Sequence, residues 1–283
     1  MFSPPSLLVR GLPRSRSSLF TRVLTASIQG LKALPETLAK NPELDIAGEL
    51  LNRTTVLSKS ALPYRQGTLD DPERFAEMDE AIWPYIEGGY VIKDVNQYGF
   101  WSWWLSKEEN RNRVRTIYLW RHPTDIIYRM IVHGWWYPIR AACGYHANRV
   151  AGELANSDEK GPCPDPCNRC ALPHVKGRRL EMMTRALLLI EHQHYTSIPH
   201  NVTVNTDGLL TEPGLPFHVA QQLGYHTIPY DWWDDEFHGH KQRTSGYRLE
   251  PLWLELNDLR KRIRAELQQE GRLPVENDFG DAS

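Results

Sequence analysis

The sequence lacks any apolar run that approaches the ~20 residues needed for a membrane-spanning helix. Its first five residues, Met1 to Pro5, have neither the basic region nor the long apolar region of a secretory signal peptide. An excess of one charge is also lacking, because 33 Lys and Arg face 35 Asp and Glu for a net charge of −2. This balance gives no reason to expect nucleic acid or a membrane as a partner. Together these absences predict a soluble, cytoplasmic protein.

Cysteine is scarce, and its few copies are grouped in one region. The four cysteines are Cys143, Cys163, Cys167 and Cys170. In a cytosolic chain such grouping favours a metal over disulfides, so the sequence predicts a structural zinc site with four thiolates. His146 or His174 is an alternative ligand, and reduced cysteines in a loop are the alternative interpretation. Residues 137–178, which hold the cysteines and are loop-rich, are interpreted as an insertion within a single domain, residues 1–283.

Strand and helix patterns alternate along the chain. Apolar runs predict strands at residues 7–9, 90–95, 115–121 and 201–205. Helical spacing of apolar residues predicts helices at 19–28, 70–87, 100–105, 126–131, 179–194, 212–223 and 251–269. With 41% hydrophobic residues the chain can bury a substantial core. The alternation predicts a three-layer α/β/α fold with a central parallel sheet.

The first predicted strand runs directly into a loop of small residues and then a helix. Glycine, proline and serine interrupt the apolar pattern between residues 11 and 17 and supply turn chemistry and a helix N-cap. Such a loop directs free backbone N–H groups and the positive end of the helix dipole at an anion, and Arg14 and Arg16 add positive charge. The stretch predicts a phosphate or sulfate site. The alternative is an ordinary turn between strand and helix whose arginines are solvated.

Two stretches resemble the signature motifs of sulfotransferases. Residues 11–18, Gly-Leu-Pro-Arg-Ser-Arg-Ser-Ser, resemble the family's 5′-phosphosulfate loop, roughly Gly-x-Pro-Arg/Lys-Ser/Thr-Gly-Thr/Ser-Thr/Ser, with Arg16 at the position of the second glycine. Residues 117–125 resemble the second signature, an apolar strand ending in Arg-x-Pro-x-Asp, here Arg121, Pro123 and Asp125. Arg129 stands where that signature has its serine. Asp207 follows a strand similar to the family's late strand.

The resemblance implies a P-loop-like fold and binding of the donor 3′-phosphoadenosine-5′-phosphosulfate. The donor-binding positions that it implies are Arg14, Ser15, Arg16, Ser17, Ser18, Arg121, Arg129, Arg243 and Arg248. Two interpretations of Arg16 stay open: its guanidinium binds the phosphosulfate, or it points outward. The family's reaction needs no metal, consistent with the absence of Gly-x-x-x-x-Gly-Lys-Ser/Thr, the magnesium-nucleotide loop.

The implied reaction is in-line transfer of a sulfuryl group to a hydroxyl or amine of a small-molecule acceptor. Arg14 matches the residue that stabilises charge on the leaving phosphate. Glu49 is the predicted general base, with Asp94 and His133 as alternatives. Lys93 either contacts the sulfuryl group or is a structural lysine at a strand end.

Two other functional classes remain as alternatives. The first is a kinase-like, nucleotide-dependent enzyme, which the missing Gly-Lys-Ser/Thr argues against. The second is a zinc-containing module that binds nucleic acid through its arginine-rich loops, which the balanced charge argues against.

Overall fold

The computed structural model describes residues 4–12, 15–33, 72–93, 98–132, 178–197, 199–230 and 247–275. The chain divides into two compact units. The first unit comprises Met1–Arg121 and His194–Ser245, and the second comprises His122–Gln193 and Gly246–Ser283. The predicted insertion, residues 137–178, lies almost entirely outside the described residues. No helix in the described ranges is long and apolar enough to cross a membrane.

The first unit contains a parallel β-sheet. Its strands are β1 (Ser6–Gly11), β2 (Lys32–Ala33), β3 (Tyr90–Lys93), β4 (Val114–Trp120) and β5 (Val202–Asn205). They lie in the order β2-β3-β1-β4-β5, and every neighbouring pair is parallel. The predicted α/β class with a central parallel sheet is therefore confirmed. The sequence did not predict β2, whose two residues are both exposed and form no apolar pattern.

Every helix except α4 lies close to its predicted position; α4 was not predicted. They are α1 (Ser17–Ser27), α2 (Pro72–Glu87), α3 (Tyr98–Ser106), α4 (Glu108–Arg111), α5 (Pro123–Val132), α6 (Arg178–Ser197), α7 (Leu215–Gln222) and α8 (Pro251–Gln269). Proline opens α5, as predicted, because its fixed φ suits a first turn that needs no N–H donor.

The core of the first unit lies between the sheet, α1 and α7. Phe20, Val23 and Leu24 of α1 pack with Leu7 and Val9 of β1 in one buried cluster. Each such side chain contributes roughly 1.5–3 kcal/mol through burial. Because this cluster holds α1 against β1, the start of α1 is fixed relative to the end of the strand that precedes it.

The described part of the second unit is helical. Leu188 and Leu189 of α6 share a buried cluster with Ile263 and Leu267 of α8. Ion pairs also join these helices, including Arg185 to Glu266 at 3.2 Å. The apolar contacts carry most of this packing, since surface ion pairs contribute only about 0–1 kcal/mol each.

Candidate anion-binding site

The carboxyl ends of all five strands lie at one edge of the parallel sheet. The chain leaves β1 towards β3 and β2 but leaves β4 towards β5, so the direction of winding changes between the neighbours β1 and β4. In open parallel sheets, ligands bind beyond the carboxyl ends of the strands at this switch point. The predicted anion loop begins there, at Gly11, the last residue of β1.

The backbone of Gly11 lies close to β4. A Cβ at this position would lie 2.5 Å from the carbonyl oxygen of Leu119 and 3.0 Å from Oγ of Ser15. Its φ of +154° is also rarely adopted by residues with a side chain. Glycine therefore fits here, and a side chain at this position would collide with β4.

The loop closes as a tight turn that enters α1. The backbone N–H of Ser15 donates to the carbonyl oxygen of Leu12 at 3.2 Å. The Ser15 side chain is fully buried, and its hydroxyl has no hydrogen-bond partner among the described residues. A buried hydroxyl at the start of a helix suits an oxyanion ligand, because it can donate the hydrogen bond that its burial otherwise leaves unmade.

Arg16 adopts a left-handed backbone conformation. Its φ and ψ are 62° and 21°, and it is the only described residue other than glycine with positive φ. The sequence predicted a side-chain N-cap for α1, but the N-cap is Arg16, which makes no side-chain capping hydrogen bond. The left-handed region favours glycine, and glycine is what the resembled motif has here. The substitution therefore keeps the backbone shape that the motif's glycine permits.

The Arg16 guanidinium binds the end of β5. Its Nη1 donates to the carbonyl oxygen of Thr206 at 2.9 Å and to Oδ1 of Asp207 at 2.6 Å. Only 10% of the Arg16 side chain is exposed, compared with 23% of Asp207. These contacts join the first turn of α1 to the strand end that the sequence had likened to the family's late acidic segment.

Two more buried cations lie at the carboxyl ends of β3 and β4, the strands on either side of β1. Lys93, the last residue of β3, donates from Nζ to Oγ of Ser18 at 3.0 Å, which places it at the first turn of α1. Arg121 directly follows β4. Both are 4% exposed. Their positive charge at this edge of the sheet is compatible with an anionic ligand.

In the second unit, the predicted residue Arg248 is paired with Asp125. Its Nε and Nη2 donate to the two carboxylate oxygens at 3.2 and 2.6 Å, and Nε1 of Trp253 donates to Oδ1 at 2.8 Å. Asp125 is fully buried in the first turn of α5. The carboxylate of the second signature thus holds Arg248 and Trp253 in place.

A cation–aromatic cluster surrounds Arg129. The rings of Tyr128 and Tyr247 stack with centroids 5.0 Å apart, and Cζ of Arg129 lies 4.6 Å from the Tyr247 centroid. The Tyr128 hydroxyl donates to Glu250, and burial followed by this contact raises the pKa of Tyr128 to about 12. The sequence did not predict this cluster, because Tyr128 and Arg129 are more than a hundred residues from Tyr247 and Glu250 and no local motif links them.

Several predicted residues lie outside the described residues. They are Arg14, Glu49, Asp94, His133, Arg243, Cys143, Cys163, Cys167 and Cys170. Their roles as phosphate ligands, base and zinc ligands stay predictions. Within the described residues, no group of three or more His, Cys, Asp or Glu side chains is arranged to hold a metal.

The geometry defines a class of protein, an α/β protein with a five-stranded, all-parallel sheet. Compared with known proteins, the chain matches no family model, and it has no significant similarity to a curated protein or to a solved structure. The function therefore has to be argued from the site itself.

Proposed function

We propose that this protein is a sulfotransferase that uses 3′-phosphoadenosine-5′-phosphosulfate and has a three-layer, P-loop-like fold. The observation that carries the proposal is the left-handed Arg16 at the glycine position of the phosphosulfate motif. A chance resemblance in residues 11–18 gives no reason for residue 16 to adopt a glycine-like backbone. Glycine, the residue that the motif has at this position, adopts the left-handed conformation readily.

The groups around the loop fit a phosphosulfate. The N–H groups in the first turn of α1 and the buried Ser15 hydroxyl supply neutral donors, while Lys93 supplies positive charge. Hydrogen-bond donors around a phosphosulfate stabilise the charge that develops on its bridging oxygen as the bond to sulfur breaks. Arg14 is proposed to aim its guanidinium at the same oxygen.

In the proposed reaction, one bond to sulfur forms while another breaks. The acceptor oxygen or nitrogen forms a new bond to sulfur while the bond from sulfur to the bridging oxygen breaks, and that oxygen keeps the electron pair. Glu49 accepts the proton of the acceptor, with Asp94 and His133 as alternative bases. The products are the sulfated acceptor and adenosine 3′,5′-bisphosphate. Arg121 and Arg129 are proposed, from the resemblance, to bind the 3′-phosphate. Arg243 and Arg248 are proposed to belong to the family's basic C-terminal phosphate-binding segment.

Calorimetric titration with adenosine 3′,5′-bisphosphate, beside ATP with Mg²⁺, tests the proposal. We expect metal-independent binding of the bisphosphate and much weaker binding of ATP. Lys93→Met should weaken bisphosphate binding about tenfold, the equivalent of one charge-assisted hydrogen bond. Lys32→Met is the matched control, because Lys32 is exposed and pairs with the first residue of β3 rather than the last.

Two outcomes would overturn the proposal. No bisphosphate binding by the wild type would leave the loop without its proposed donor. Tighter, Mg²⁺-dependent binding of ATP would instead support the kinase-like alternative. An equal loss in Lys93→Met and Lys32→Met would remove Lys93 from the site.

A further inference from the structure

The sequence leaves open whether Arg16 binds the phosphosulfate itself or serves another purpose. Its guanidinium bonds to the Thr206 carbonyl and the Asp207 carboxylate, and its backbone is left-handed. The left-handed conformation is unfavourable for a residue with a side chain, because its Cβ lies too close to the following carbonyl oxygen. That cost persists only where surrounding contacts hold the residue in place.

The end of β5 is a firm anchor for these contacts. The backbone N–H of Thr206 donates to the Trp120 carbonyl oxygen at 2.8 Å, and the Thr206 hydroxyl donates to the same oxygen at 3.1 Å. The backbone N–H of Asp207 donates to Oδ1 of Asn205 at 2.9 Å. Thr206 is fully buried. Arg16 therefore binds a segment that is itself tied to the central sheet.

We propose that Arg16 is a positioning residue: its pairing with Asp207 and Thr206 holds residue 16 in the left-handed conformation and so keeps the anion loop open for its ligand. This inference rests on the proposed function, since the ligand is the bisphosphate donor product. The guanidinium's charge is met by Asp207, and the anion is bound by the loop N–H groups, Ser15 and Lys93. The contact between Arg16 and Asp207 stabilises the left-handed conformation, which glycine would adopt without such a contact.

One test needs no ligand. The backbone N–H of Phe20 donates to the Arg16 carbonyl at 3.1 Å, so its hydrogen exchange reports the first turn of α1. Asp207→Ala should speed this exchange about tenfold and leave the Ile28 amide, bonded to Leu24 at the other end of α1, unchanged. Arg113→Ala is the matched control, because it removes the arginine of another ion pair, with Glu87, before β4. Unchanged Phe20 exchange in Asp207→Ala would overturn the proposal.

A second test separates positioning from ligand binding. Titrated with adenosine 3′,5′-bisphosphate, Arg16→Ala should bind about fivefold more weakly, because alanine keeps the strain and loses the anchor. Arg16→Gly should bind within about threefold of wild type, because glycine adopts the conformation unaided. Asp207→Ala should also weaken binding.

If Arg16 binds the anion directly, the pattern is different. Arg16→Gly would then lose as much affinity as Arg16→Ala, and Asp207→Ala would bind more tightly because the competing carboxylate is gone. Either result would overturn the positioning role. A wild type that fails to bind the bisphosphate would instead refute the proposed function, while the exchange of Phe20 would still decide whether Arg16 positions the loop.

Discussion

Each unit contains an arginine–aspartate pair, and the two pairs are buried in opposite senses. In the first unit the Arg16 guanidinium is nearly buried, while Asp207 is partly exposed. In the second unit Asp125 is fully buried, while 44% of the Arg248 side chain is exposed. The charge that water cannot reach is therefore the cation in one pair and the anion in the other.

This difference in burial indicates which member of each pair is destabilised more when its partner is removed. Removing one member of a pair is costly mainly when the charge that remains is buried, because an exposed charge regains its hydration. Arg16 thus depends on Asp207 at the anion loop, whereas Asp125 depends on Arg248 and Trp253. The first pair fixes a backbone turn, and the second fixes two side chains around one carboxylate.

The largest expected effect is a loss of stability from a change to the backbone at Gly11 in the first unit. Gly11→Ala should lower the free energy of unfolding by about 4 kcal/mol, because the new Cβ would lie 2.5 Å from the Leu119 carbonyl at an unsuitable φ. Urea denaturation would measure the loss. Gly224→Ala is the matched control, since φ there is +84° with nothing within 4 Å of the new Cβ. Gly224→Ala should lower the free energy of unfolding by about 1 kcal/mol. Equal losses in the two variants would show that the contact with Leu119 does not destabilise Gly11→Ala.

A smaller effect tests the burial asymmetry directly. Arg248→Ala should lower the free energy of unfolding by about 3 kcal/mol, because the buried Asp125 carboxylate loses its positively charged partner. Asp125→Asn should cost about 1–2 kcal/mol, because the partly exposed guanidinium can turn to water and an amide oxygen still accepts from Trp253. In the first unit the order reverses, and Asp207→Ala should cost more than Arg16→Gly. Urea midpoints of the four variants measure this, and the same order in both units would refute it.

The last prediction concerns a second buried carboxyl, Glu191 of α6. Burial raises its pKa to about 8, although Arg264 and Arg260 of α8 lower it. The folded protein therefore keeps a proton that the unfolded chain releases near pH 4.5. The stability that this group contributes should fall as pH rises from about 4.5 to about 8. Glu191→Gln should remove that fall.

Thermal unfolding at several pH values would measure this dependence. Glu255→Gln is the control, since Glu255 is exposed on the same helix as the two arginines. A wild-type stability that rises between about pH 5 and 7, with no change in slope for Glu191→Gln, would show that Glu191 is ionised in the folded protein.

Local sequence predicted the sheet and most helices of the described residues. The apolar run that forms β4 and the turn chemistry after β1 are local patterns, so both were found within a residue or two. β2 was missed because its two exposed residues owe their conformation to pairing with Tyr90 and Val91, a contact between distant segments.

The site divides in the same way. Local sequence predicted an anion loop after β1, because small residues between a strand and a helix leave backbone donors free. The partner of Arg16 could not be predicted in this way, since Asp207 is 191 residues away along the chain. The left-handed conformation of Arg16 was likewise decided by its anchor on β5, because arginine has no intrinsic preference for it. Pairings between distant residues depend on the packing of the sheet, and no local pattern encodes them.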